Sequence, residues 1–155
     1  MSVDAYAGTQ SASKRISLLN GPQFAKLANE NLSNAGYLTN PAWDNPESQP
    51  TYNWQDAVFQ TSAVQNYNVS MSGGGEKSRT FFSLGYFKQG GIIIGSDYDR
   101  YTARLNTDYN ISKKIVVGAT ISLAREQKES ITTDHSFGGI LTNVAELQPT
   151  SPIYN

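Results

Sequence analysis

The 155-residue sequence has no cysteine, so it contains neither disulfides nor thiolate metal sites. Charge is scarce: only 16% of residues are Asp, Glu, Lys or Arg, and the net charge is −1. The cations are scattered, so the basic footprint of a nucleic-acid binder is missing and no nucleic-acid partner is expected. Apolar residues make up 38%, below the usual share of about 45–50%, which leaves little material for an interior core. Long apolar runs are absent too. The longest nearly apolar stretch, 115–121, is far short of the ~20 residues a membrane helix needs. Residues 1–6 carry neither a basic nor an apolar block, so no signal peptide is expected there. If this chain crosses a membrane, it does so with strands, because only helices and closed barrels satisfy their backbone groups in lipid.

What is abundant is alternation. On either side of a turn near 110–114, Tyr101, Ala103, Leu105, Thr107 and Tyr109 alternate with Arg100, Thr102, Arg104, Asn106 and Asp108; beyond it Ile115, Val117, Ala119, Ile121 and Leu123 continue with period two. A turn over 111–113 would set Tyr109 opposite Ile115, Leu105 opposite Ala119 and Tyr101 opposite Leu123, so that both apolar sets share a face. Upstream, Tyr67, Val69 and Met71, then Phe82, Leu84 and Tyr86, read the same way across the glycine turn at 73–77. The sequence therefore predicts strands over 2–9, 65–72, 79–89, 98–110 and 114–126, a helix over 20–33, a loop over 37–57 and a helix over 137–147. Asn20, Gly21 and Pro22 supply the start of the first helix, and Pro149 stops the second. The expected fold class is all-β with two short helices, an antiparallel amphipathic meander forming part of a transmembrane β-barrel.

Two features favour a membrane barrel over a soluble sandwich. Connections alternate between tight and long, as they do between the periplasmic and outer ends of such barrels. Tyrosines bracket the apolar band, with Tyr109 at one end and Tyr86 and Tyr101 at the other, like an aromatic girdle. The apolar set then faces lipid, and Arg100, Arg104, Asn106 and Asp108 face a wet lumen or whatever fills it.

Other chemistry is thin. Gly73, Gly74 and Gly75 are followed by neither GK[ST] nor a helix, so they are a turn and not a phosphate loop. His135, the single histidine, sits beside Asp134 in a polar segment and reads as a solvated side chain. Asp97 and Asp99 lie close in sequence without acid–base geometry. No catalytic residue, metal site or cofactor is expected, and the chain is not read as an enzyme. Trp43, Tyr52 and Trp54 could stack on sugars, although packing the 37–57 loop is the simpler role. They support the alternative reading, a secreted carbohydrate-binding β-sandwich.

The words along the chain also resemble a known family. Tyr52-Asn53-Trp54-Gln55-Asp56-Ala57-Val58-Phe59-Gln60, Gln65-Asn66-Tyr67-Asn68-Val69-Ser70-Met71-Ser72-Gly73-Gly74 and Phe82-Ser83-Leu84-Gly85-Tyr86-Phe87-Lys88-Gln89-Gly90-Gly91-Ile92-Ile93 resemble the early barrel of SusC/RagA TonB-dependent outer-membrane transporters. So do Asp99-Arg100-Tyr101-Thr102-Ala103-Arg104-Leu105-Asn106 and the final Gln148-Pro149-Thr150-Ser151-Pro152-Ile153-Tyr154-Asn155. The resemblance implies import of oligosaccharides or peptides across a Bacteroidetes-type outer membrane. It implies as partners a plug and further barrel strands of the same transporter, a SusD-like surface lipoprotein, TonB, and outer-membrane lipid. Measured against that family the sequence is expected to be a fragment, without plug or TonB box and unable to transport alone.

Overall fold

The computed structural model describes residues 1–131 and 138–154, which fall into two compact units: Met1–Ser11 with Gln60–Ser130, and Ala12–Phe59 with Ile131–Asn155. The first unit is a single five-stranded antiparallel sheet in meander order, built from β1 (Ser2–Gln10), β2 (Ser62–Gly74), β3 (Ser78–Gly90), β4 (Asp97–Ser112) and β5 (Ile115–Glu129). β2 to β5 run 13 to 16 residues, well beyond the common strand length of about five or six. They extend past the 65–72, 98–110 and 114–126 spans because the polar residues at each end keep pairing after the apolar alternation stops.

One register differs from expectation. Tyr109 pairs with Val117, Leu105 with Ile121 and Tyr101 with Arg125, so β5 is displaced by two residues from the arrangement that a 111–113 turn would give. The cause is local: Lys113 and Lys114 make the turn, and a register shift between Asn110 and Ser112 absorbs the extra residue. A displacement of two preserves which face each side chain occupies, so the apolar sets still coincide.

The sheet has no core of its own. The buried hydrophobic residues among those described are Ala25, Ile93 and Val144, none of them in a strand. Leu123 is 66% exposed, Tyr101 53% and Ile121 50%. At one end the 91–96 connection folds back on itself and onto β2: Gly91 N–H donates to Ser96 O (2.6 Å), Gln60 N–H to Ile92 O (2.9 Å), and the Ser62 hydroxyl to Gly91 O.

The second unit contains α1 (Gly21–Asn34), α2 (Trp54–Val58) and α3 (Ile140–Glu146). Asn20 caps α1 through a capping box: its side chain accepts from Gln23 N–H (2.9 Å) while Gln23 Oε1 accepts from Asn20 N–H (3.1 Å). The 37–57 stretch is more ordered than its composition implies, with single 3-10 turns at Pro41–Trp43 and Pro46–Ser48 and then α2. Side-chain amides produce that order. Asn29 pairs with both backbone groups of Asn40 (2.9 and 3.3 Å), and buried Gln55 does the same to Ile16, accepting from its N–H (3.0 Å) and donating to its carbonyl (2.8 Å). Replacing Gln55 with Ala should cost about 1 kcal/mol locally and speed hydrogen exchange at the Ile16 amide about fivefold. Amide-resolved exchange by NMR checks it. The third helix begins at Ile140 rather than 137, and Phe137 and His135 lie outside the described residues.

Candidate functional site: a two-faced strand wall

Strand pairing assigns every side chain of the sheet to a face. On the apolar face, directly paired positions form rows across the strands: Val69, Leu84, Ala103 and Leu123 make one, and Met71, Phe82, Leu105 and Ile121 another. The next row contains Tyr67, Tyr86 and Tyr101, and ends at Arg125. Its rings pack across the strands, Tyr67 against Tyr86 with centroids 6.3 Å apart and Tyr86 against Tyr101 at 4.8 Å. Such aromatic pairs add about 0.5–1.5 kcal/mol each beyond area burial. Past the tyrosines the face turns polar, with Lys88 opposite both Gln65 and Asp99. Tyr86 donates its hydroxyl to Asp99 Oδ1 (3.2 Å).

From Tyr101 to Tyr109 the strand climbs roughly 26 Å at about 3.3 Å per residue. A tilt of about 40° reduces this to about 20 Å, close to the ~25 Å apolar band of outer-membrane barrels. The polar atoms inside the band look after themselves: Thr80 and Thr107, directly paired, place their hydroxyl oxygens 3.1 Å apart. In a medium without water, that mutual bond removes two unsatisfied hydroxyls.

The opposite face carries Arg100, Arg104, Asn106 and Asp108 along β4. Pairing surrounds them with residues that β4 alone does not announce. Arg100 lies between Phe87 and Glu126, Asn106 between Phe81 and Thr120, and Asp108 between Arg79 and Gly118. The Arg100 guanidinium sits 5.7 Å from the Phe87 ring centroid, and Phe87 in turn packs on Tyr98 (6.0 Å). Arg104 Nε donates a long bond (3.4 Å) to Asn106 Oδ1. Phe81, Phe87, Arg79 and Glu126 sit on other strands, and only the register brings them beside the β4 set. Gly85 keeps this wall open at its middle, since a Cβ there would stand 2.6 Å from both Asn68 Oδ1 and Thr102 Oγ1.

Trp43, Tyr52 and Trp54 belong to the second unit and do not form one platform. Trp43 packs edge-on against Phe24 of α1, with centroids 5.5 Å apart. Tyr52 and Trp54 line a cavity of about 460 Å³ that Trp43 does not border. Both are tied down: Trp54 Nε1 donates to Gln148 O (3.1 Å) and Tyr52 N–H to Pro149 O (2.7 Å). Arg15 bridges Asp56 and lies over Phe59, 5.8 Å from its centroid.

No protein-family model matches the chain. Curated relatives do. TonB-dependent receptor P3 of Formosa agariphila is 28% identical over 151 residues, covering 94% of this chain and 14% of the relative. TonB-dependent receptor SusC of Bacteroides thetaiotaomicron is 28% identical over 167 residues, covering 97% of this chain and again 14% of the relative. Among solved structures, the RagAB peptide importer in its closed-closed state superposes with a TM-score of 0.75 at 17% identity, over 96% of this chain and 20% of that one. The chain is SusC/RagA-like, matching a segment of such a barrel. The SusC/RagA-like chain thus spans about 14% of the length of the curated relatives it matches. A single sheet with no second sheet over it among the described residues, together with relatives that are TonB-dependent receptors, does not favour the carbohydrate-binding sandwich.

Proposed function

We propose that this chain forms part of the wall of an outer-membrane, TonB-dependent transporter that imports oligosaccharides or peptides. The observation that carries the reading is the apolar sheet face: β2 to β5 present aliphatic and aromatic side chains in continuous rows, and among the described residues no buried hydrophobic residue lies in a strand. Water is a poor solvent for such a face, whereas hydrocarbon bounded by headgroups suits its middle and its tyrosine margin. The likeness to SusC and to the RagAB peptide importer supports the transport role and its setting in the outer membrane.

Arg100, Arg104, Asn106 and Asp108 then face the barrel interior, where they hold a plug in preference to contacting cargo. The implied partners are the remaining strands and plug of the transporter, TonB, and a SusD-like lipoprotein on the surface. Import needs no cofactor or catalytic residue from this chain. This segment has no cysteine, so an introduced cysteine is the sole thiol within it, and any cysteine elsewhere in the full-length protein is first replaced with serine. Single-cysteine variants along β4, carrying nitroxides in the membrane-embedded full-length protein, should alternate. Labels at 103, 105 and 107 should be reached by oxygen and those at 104, 106 and 108 by a water-soluble nickel chelate. Uniform water accessibility on both faces would defeat the reading.

A further inference from the structure

We infer that the cavity of the second unit binds free peptides in extended form: an apolar side chain enters beside Tyr52 and Trp54, the main chain pairs with Ser17–Leu19, and the amino terminus meets Glu146. This rests on the proposed transport role and narrows its cargo to peptides. The cavity of about 460 Å³ is walled by the 16–20, 51–55 and 144–149 stretches together with Phe24. That size is within the range of small-ligand sites. Leu18, Leu19, Tyr52 and Leu147 line it and remain exposed, so its wall offers apolar surface to an entering group.

One wall is a short free edge of backbone. Ile16 is held by Gln55 through both backbone groups, and Asn20 by the capping box and by its carbonyl, which accepts from Phe24 N–H (2.9 Å). Between these fixed points Ser17, Leu18 and Leu19 are exposed and lie in neither helix, strand nor turn. Their backbone groups bond to nothing else among the described residues. Three residues held at both ends lose little freedom on binding, and an extended peptide beside them gains main-chain hydrogen bonds.

The polar side chains around the cavity are engaged elsewhere. Asn53 accepts from Gln55 N–H (3.1 Å) and donates to Asp56 (2.7 Å), Thr51 Oγ1 accepts from Gly21 N–H (2.8 Å), and Trp54 donates to Gln148 O (3.1 Å). An oligosaccharide needs free side-chain partners for its many hydroxyls; an apolar peptide needs only backbone partners. Glu146 is the one charged residue lining the cavity. Lys14 and Arg15 line a separate cavity of about 140 Å³, and Arg15 is bound to Asp56. Among the described residues of this unit five carboxylates face three cations, so the wider charge does not oppose the rim. A negative rim beside an apolar cavity complements an ammonium next to an apolar side chain.

The test uses the full-length protein carrying this sequence in mild detergent, with the amide of Phe-Ala-Ala, its N-acetyl derivative and maltotriose as probes. Calorimetry reads affinity, and hydrogen–deuterium exchange reads the 17–19 stretch. The free-amine peptide should bind about tenfold more tightly than the acetylated one and slow exchange at 17–19, and maltotriose should do neither. Glu146→Gln should remove the tenfold preference and leave the acetylated peptide unchanged. Ala145→Trp, at an exposed position lining the cavity, should weaken both peptides, while Lys26→Trp, exposed on α1 and outside the cavity, should weaken neither. Peptide binding that ignores Glu146→Gln and Ala145→Trp, or leaves exchange at 17–19 unchanged, would overturn the site. So would exchange already slow there before peptide is added, since another segment or a partner would then occupy the edge. A protein that binds the peptide as expected but fails to carry it into proteoliposomes would instead overturn the transport reading and leave the site standing.

Discussion

Leu105→Arg should destabilise the membrane-embedded protein by about 2–4 kcal/mol, and Asn106→Arg, one residue along the same strand, by less than about 1 kcal/mol. Leu105 sits in the row of Met71, Phe82 and Ile121, midway between the Tyr101 and Tyr109 levels. On the proposed lipid-facing wall a guanidinium there has neither water nor a partner, and its stem must reach past a further row before meeting either interface. Asn106 faces the other way, between Phe81 and Thr120 and bonded to Arg104, on a face that already carries Arg79, Arg100 and Arg104. Another cation on that wall adds only modest repulsion in the proposed wet interior. Urea unfolding of the full-length protein in liposomes would measure both. Similar costs for the two variants would mean that the faces do not differ in solvent, and the barrel-wall reading would fall with them.

The two-faced wall was legible from residue order because its cause is local and periodic. A strand has period two, and apolar residues at every second position must share a solvent whatever their partners are. Exact register was not legible. The segment Asn110-Ile111-Ser112-Lys113-Lys114 has no glycine or proline to fix its turn, and the irregularity between Asn110 and Ser112 moved the turn onto the two lysines. The face assignment survived only because the displacement was even.

The order within 37–57 was hidden for a different reason. It comes from side-chain amides, Gln55 on Ile16 and Asn29 on Asn40, that substitute for strand pairing between distant backbone segments. Such pairing leaves no periodic trace in the sequence. Likewise the aromatic group that drew attention as a sugar platform is divided by Phe24: Trp43 packs on that ring, while Tyr52 and Trp54 line a cavity that the ring also borders. Aromatic content along a loop does not say which rings will meet.

The same parity argument sets the largest effect expected from a single change. Inserting one alanine between Gly118 and Ala119 should abolish assembly of the sheet into the membrane. With the 113–114 turn and the β4 pairing held, every residue after the insertion moves to the opposite face: Ile121 and Leu123 turn to the face proposed to line the wet interior, while Thr120, Ser122 and Glu126 turn to the apolar face and its margin. Losing the apolar environment of two large aliphatic side chains costs about 1.5–3 kcal/mol each. The new outward hydroxyls lack the mutual bond that Thr80 and Thr107 make, and each adds a further penalty for an unsatisfied polar group of about 1–3 kcal/mol. Together the two terms come to about 5–12 kcal/mol, comparable with the margin of about 5–15 kcal/mol that keeps a typical protein folded, so the comparison variant matters. Inserting two residues at the same point restores parity beyond the insertion and should recover much of the assembly, at the expense of a bulge. Heat-modifiable gel mobility of the full-length protein would report assembly for each. Equal failure of the two insertions would show that β5 tolerates no added length at all, and would remove side-chain parity as the reason for the loss.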